Sequence, residues 1–177
     1  MPLISTVLPQ QATGEVAQTY QQIQQLFGRL PNALQLFSCS PNLLKQTWQE
    51  VSYYGQHSSL NLALLATLRM LISTANKCDY CIDFNKSLLI NMLNWTPEQV
   101  QATQADPDQA PLTDKEKALL KLVLIAVNTP HAVTAEDIQA LRALGWQEQD
   151  ILEAVAHGAR HVAIDIIFNT FKIEQDF

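Results

Sequence analysis

The sequence predicts an all-α fold, and three observations carry that expectation. Apolar residues recur at helical spacing along most of the chain, and no segment alternates as a half-buried strand does. Prolines and glycines fall where helices start or stop. Thr96, Thr113 and Thr134 each stand just before a helical pattern, as N-caps do.

Taken in order, residues 1–13 read as an N-terminal arm, extended over the first eleven because Pro2 and Pro9 limit helix formation. A helix over Gly14–Phe27 places Val16, Tyr20, Ile23 and Phe27 on one face, and its QQIQQ run reads as an exposed helix surface. Pro31 and Pro41 suit a first helical turn, opening a short helix to Phe37 and a longer one to Tyr54, with Gly55 as the stop. Leu60–Ala75 is apolar on nearly every face, which marks a helix buried in a bundle or at an oligomer interface. Arg69 lies inside it and needs a carboxylate or backbone partner, since a lone buried charge is costly.

Another helix begins at Cys78 and runs to about Met92, followed by a short one capped by Thr96 with Pro97 at its first position. After the ADPDQAP loop, Thr113 and Glu116 form a capping box for an apolar helix through Val127. Thr134 caps Ala135–Leu144, closed by Gly145, and the last helix runs from near Gln149 to Phe171. The expected architecture is one helical bundle over 14–177, with the central and final helices as its core.

Bulk composition narrows the function classes. Apolar residues make up 47% of the 177, enough for a core without disulfide or metal staples. Charged residues are only 16%, which suggests that some surface is covered in a homo-oligomer. The net charge of −6 and eleven scattered Lys and Arg residues argue against nucleic acid. No run reaches the roughly 18 apolar residues of a membrane span, and the N-terminus lacks the features of a signal peptide. Three cysteines, two of them as C-x-x-C, suit a reducing, cytoplasmic compartment better than a secreted disulfide framework.

The pair Cys78 and Cys81 is the best candidate for chemistry. At a helix N-terminus, unpaired N–H groups and a partial positive charge favour thiolate at the leading cysteine, and Lys77 adds a cation beside it. Cys81 lies one turn along the same face and can close a disulfide. A redox pair, two inert core cysteines and half of a zinc site all fit this pattern, although no second C-x-x-C or C-x-x-H follows. Cys39 stands alone and reads as structural, and Trp48, Tyr53 and Tyr54 as packing and helix-end anchors.

The segment LATLRMLISTANKCDYCIDFNKSLLI resembles the AhpD-like, or carboxymuconolactone decarboxylase, family, through Asn76-Lys77-Cys78-Asp79-Tyr80-Cys81 between two apolar helices. The family pattern has an Asn-Gly-Cys-x-Tyr-Cys-type turn. The resemblance implies a homo-oligomeric AhpD-like helical bundle and a thiol-dependent antioxidant oxidoreductase, either an alkylhydroperoxidase-like peroxidase or a disulfide reductase. It implies a peroxide or disulfide as substrate, a dithiol or redox protein as reductant, no cofactor, and Cys81 attacking with Cys78 resolving.

Two family groups are replaced. The histidine four residues after the second cysteine falls on Asn85, and the glutamate about twelve residues before the first falls near Ala66. Asn85 cannot take up a proton at neutral pH. Asp83 falls on another side of its helix, and His57 lies in a loop. The final helix carries His157, His161 and Asp165 at four-residue spacing, on one face. These residues read as a polar seam, as a surrogate proton relay, or, for His157 and His161, as weak metal candidates. A helical oligomer that has lost catalysis and binds a ligand or partner protein is the alternative function.

Overall fold

Helices supply the regular structure of the computed structural model, which describes residues 2–177, and no strand occurs among those residues. Backbone contacts gather into two compact units. One holds the residues through His57 together with Phe168–Phe177, and the other holds Ser58–Ile167.

In the first unit the arm runs into α1 (Gly14–Phe27), α2 (Asn32–Gln35) and α3 (Pro41–Gly55). The arm is pinned by its backbone: Val7 N–H donates to Ser38 Oγ (2.7 Å), and the Tyr20 hydroxyl donates to the Val7 carbonyl (2.8 Å). Pro9–Gln11 forms a 3-10 turn inside what was expected to be extended chain. Ile23 and Leu44 are fully enclosed where α1 meets α3, and Trp48 Nε1 donates to Gln22 Oε1 (2.9 Å). Tyr53 is an exposed aromatic at the end of α3.

The short helix differs from its expected span. Pro31 caps α2 from an extended conformation, and the chain tightens into a 3-10 turn over Leu36–Cys39. The cause is Pro41, which pushes Ser40 out of the helical region (φ −128°, ψ 93°) and leaves no room for another α turn. Cys39 is exposed there, not packed into a core as a structural cysteine would be.

The second unit contains α4 (Leu62–Asn76), α5 (Asp79–Asn91), α6 (Pro97–Ala105), α7 (Asp114–Asn128), α8 (Ala135–Ala143) and most of α9 (Glu148–Phe171). The Asn61 side chain caps α4 by accepting from Leu64 N–H (3.0 Å). The three expected threonine caps are reciprocal capping boxes, Thr96 with Gln99, Thr113 with Glu116 and Thr134 with Asp137.

α4 is the core helix, as an all-round apolar stretch requires. Leu64–Leu68 and Met70–Ser73 are buried, and α5, α6 and α7 pack around it. Thr67 and Ser73 are fully buried polar residues within that run. α9 approaches α4 and α7 closely at Gly158. A Cβ there would stand 2.6 Å from Val123 Cγ1 and 3.4 Å from Ile72 Cδ1, so glycine sets how near α9 can lie. No helix among the described residues is long and apolar enough to cross a membrane.

Candidate active site at the cysteine pair

The α4–α5 junction positions both thiols. α4 ends at Lys77 in the left-handed region (φ 56°, ψ 44°), and Cys78 N–H then donates to the Ser73 carbonyl (3.0 Å). Cys78 is the N-cap residue of α5, which places Cys81 one turn further on. Lys77 occupies the position that is glycine in the resembling pattern, so a residue with a Cβ carries the positive φ.

Both cysteines are free thiols and are buried. Their sulfurs and an Asp165 carboxylate oxygen all lie within 4.8 Å of one another. The Cys81 thiol is pushed up strongly from its ordinary value by its hydrogen bond with Cys78, by burial, and by the charge of Asp165 and a hydrogen bond with it. Burial and the neighbouring Cys78 and Asp165 groups therefore favour the protonated form of Cys81. Thiolate becomes available at Cys81 only as that proton moves onto an acceptor.

Asp165 is fully buried and is held at both oxygens. Ser73 Oγ donates to Oδ1 (2.8 Å) and Asn76 Nδ2 donates to Oδ2 (3.0 Å). Ser73 Oγ also lies 2.8 Å from His161 Nε2. A hydroxyl has one proton, and here it goes to the carboxylate, so Ser73 accepts from His161, which carries its own proton on Nε2. Burial and the nearby Arg69 lower the His161 pKa to about 3. The imidazole is neutral at ordinary pH, so its 3.7 Å approach to Asp165 is not an ion pair. The chain of donors runs from His161 through Ser73 to Asp165.

A second polar cluster adjoins Cys81 through Asn85. Arg69 Nε donates to Asn85 Oδ1 (2.8 Å), and Asn85 Nδ2 donates to the Cys81 carbonyl (2.8 Å). Arg69 Nη1 lies 3.3 Å from His157 Nε2, and a guanidinium only donates, so that nitrogen accepts. Burial lowers the Arg69 pKa to about 10, which still leaves it charged at neutral pH. Burial and then the Arg69 charge lower His157 well below the usual imidazole range. The partners of Arg69 are thus an amide and an imidazole, not the carboxylate or backbone group expected from sequence. Its planar fork reaches two side chains from different helices, which no local spacing encodes.

The residues singled out from sequence separate into groups. Cys78, Cys81, Asp165 and, through Ser73, His161 converge; Asn85 and His157 instead serve Arg69. His157 and His161 do not supply the ion-sharing arrangement that made them weak metal candidates. His157 Nε2 faces a permanent cation, and His161 Nε2 is engaged by Ser73. The group whose donor atoms are close enough to share an ion is Cys78, Cys81 and Asp165. Ala66 is buried in α4, and His57, in the first unit, stacks on Tyr54. Sequence reasoning passed over Ser73 and saw Asn76 only as part of the motif, not as a partner of Asp165. Their signal was a polar pair at i, i+3 on an otherwise apolar helix, immediately before the cysteines.

No sequence-family model matches the chain, and no curated protein sequence does. Solved structures do. An AhpD-core, peroxidase-related protein from Ralstonia eutropha JMP134 superposes with a TM-score of 0.85 at 18% identity, over 99% of this chain and 92% of that one. A peroxidase-related protein from Silicibacter sp. TM1040 gives 0.80 at 17% identity, over 99% and 94%. The debrominase Bmp8 gives 0.75 at 16% identity, over 98% and 92%. A cysteine-to-alanine variant of that debrominase, in complex with 2,3,4-tribromopyrrole, is similar as well. Nearly full-length superposition on AhpD-core structures, with helices as the only regular structure among the described residues, establishes that this protein has the AhpD-like fold.

Proposed function

We propose that the protein is a thiol-dependent oxidoreductase of antioxidant type, in which Cys78 and Cys81 cycle between dithiol and disulfide. The observation that carries this reading is the convergence of both sulfurs and the Asp165 carboxylate within 4.8 Å. Asp165 stands where the missing relay groups would be needed, as the acceptor of the Cys81 proton. Ser73 and Asn76 fix its two oxygens, and His161 is a positioning residue acting through Ser73.

Cys81 sulfur attacks one oxygen of a hydroperoxide while its proton passes to Asp165. The O–O bond breaks, the alcohol leaves with that proton, and Cys81 becomes a sulfenic acid. Cys78 then attacks the Cys81 sulfur, water leaves, and the disulfide closes. A small dithiol or a redox protein restores both thiols and is itself oxidised to a disulfide. With a disulfide as substrate, the same pair acts by exchange without the sulfenic step. The active form is a homo-oligomer, in keeping with the low content of charged residues.

The test is the midpoint potential of the pair, measured by trapping thiols in glutathione or dithiothreitol buffers. A reversible two-electron transition between about −120 and −270 mV is expected. Peroxide consumption with a dithiol reductant is measured beside it, with a brominated pyrrole as a competing substrate because a debrominase shares the fold. A pair that never closes, or thiols that react only after unfolding, would sink the reading in favour of an inert binding protein.

A further inference from the structure

The three groups that converge in the proposed cycle have a second chemical property. Two thiolates and a carboxylate are a metal-ligand set, and all three belong to side chains with little or no exposed surface. Their donor atoms span at most 4.8 Å. Tetrahedral coordination with Zn–S bonds of about 2.3 Å and Zn–O bonds of about 2.1 Å needs donors roughly 3.6–3.8 Å apart. The difference from the separations present is at most about an ångström.

The donor chemistry selects among cations. Two sulfurs exclude the hard ions magnesium and calcium, and the carboxylate oxygen disfavours copper(I), which takes all-sulfur sites. A mixed sulfur and oxygen set is borderline and suits zinc-class divalent ions. The surroundings are those of a built site. Both carboxylate oxygens are oriented by donors, from Ser73 and Asn76, and Ser73 is backed by His161. Three protein ligands leave a fourth position open, as in sites that exchange a ligand.

Charge balance points the same way. Deprotonating both thiols beside Asp165 places three negative charges in a buried space, with Arg69 as the cation coupled to Cys81. A divalent ion offsets two of them and leaves the net charge for Arg69 to balance. We propose that the dithiol form binds one zinc-class cation through Cys78, Cys81 and Asp165, and that disulfide formation expels it. Uptake exchanges two thiol protons for one divalent ion. Expulsion removes both thiolates, because each sulfur becomes half of a disulfide while an oxidant such as a peroxide is reduced. Uptake stands independently of the redox reading, and expulsion rests on it.

The experiment titrates cobalt(II), and then zinc(II), into chelator-treated full-length protein reduced with a phosphine. One equivalent of cobalt per chain is expected, with a thiolate-to-cobalt charge-transfer band that zinc abolishes and two protons released per ion. Cys39→Ser leaves the band unchanged, since Cys39 is exposed and outside the site. Ser73→Ala weakens binding by about 10–100-fold, the usual effect of removing an outer-shell partner. Asp165→Asn weakens it further, and the disulfide form gives no band. A folded, fully reduced protein with no thiolate band overturns the proposal, and so does binding that Asp165→Asn leaves unchanged. Redox cycling of metal-free protein is scored separately. A protein that cycles but gives no cobalt band loses this proposal alone, and one that binds cobalt but never forms a disulfide loses the redox reading and the expulsion step with it, while uptake stands.

Discussion

The Ser73 hydroxyl donates to Asp165 Oδ1 across 2.8 Å, and both side chains are fully buried. This bond joins the last turns of α4 to α9 and holds a carboxylate against two cysteine sulfurs. Removing it would leave a buried acceptor short of a partner, at a cost of about 1–3 kcal/mol. The contact is thus structural and chemical together.

Asp165→Asn keeps the volume of the side chain and removes the proton acceptor of Cys81. Peroxide-dependent oxidation of the pair is expected to slow by about 10²–10⁴, the ordinary worth of general-base help. Single-turnover kinetics in fresh dithiol protein read this directly. A variant as fast as the parent would assign the proton to another acceptor.

Stability is expected to fall in acid from about pH 6.5 downward. His161 has a folded pKa of about 3 against an ordinary 6.5, so between those values the unfolded chain binds a proton that the folded chain refuses. Its contribution is complete above pH 6.5 and is lost as the pH falls towards 3, at about 1.4 kcal/mol per pH unit. His157, also lowered, adds to the slope. Cys81 acts at the other end. Its raised pKa makes stability decline above the ordinary thiol value of 9.0, where the unfolded chain deprotonates first. Urea midpoints across pH should trace this dome, and His161→Gln should flatten the acid side by about one proton's worth.

Gly158→Ala is expected to destabilise the protein by about 1–3 kcal/mol, although alanine is the better helix former. The added methyl would meet Val123 Cγ1 at 2.6 Å, and a valine cannot swing its methyl away as a long side chain could. Thermal unfolding of the single variant decides it. A neutral or raised Tm would mean that α9 moves aside freely.

Lys77→Gly is expected to stabilise by up to about 1 kcal/mol, because the left-handed conformation there costs a residue with a Cβ that much. The exposed Lys77 ammonium also disappears, so the rate of thiol alkylation across pH, measured in the same variant, tests whether its charge reaches Cys78. A loss of stability would show that the greater freedom of glycine in the unfolded chain outweighs the relief of strain.

Much of the fold was legible in the sequence because its signals are local. The periodicity of Leu60–Ala75, the capping boxes at Thr96 and Thr113 and the turn before Cys78 involve residues a few positions apart. Helical geometry alone relates such residues, so α1, α3, α4, α5 and α7 lie close to where the sequence puts them. The same locality placed Cys78 and Cys81 on one turn, and His157, His161 and Asp165 on one face. It misjudged the short second helix only at its boundaries, where Pro41 acts on the residues before it.

What the sequence could not decide is which of those faces meet. Asp165 lies far along the chain from Ser73 and Cys81 and joins them when α9 settles against α4, at a distance set by the missing Cβ of Gly158. That packing sends His161 to Ser73 and His157 to Arg69 and brings Asp165 to the thiols, while the packing of α5 on α4 gives Arg69 the Asn85 amide in place of a carboxylate. The physical reason is the range of the interactions. Caps and periodicity act within a turn or two of helix, while burial and charge pairing depend on neighbours that only close packing of distant segments supplies.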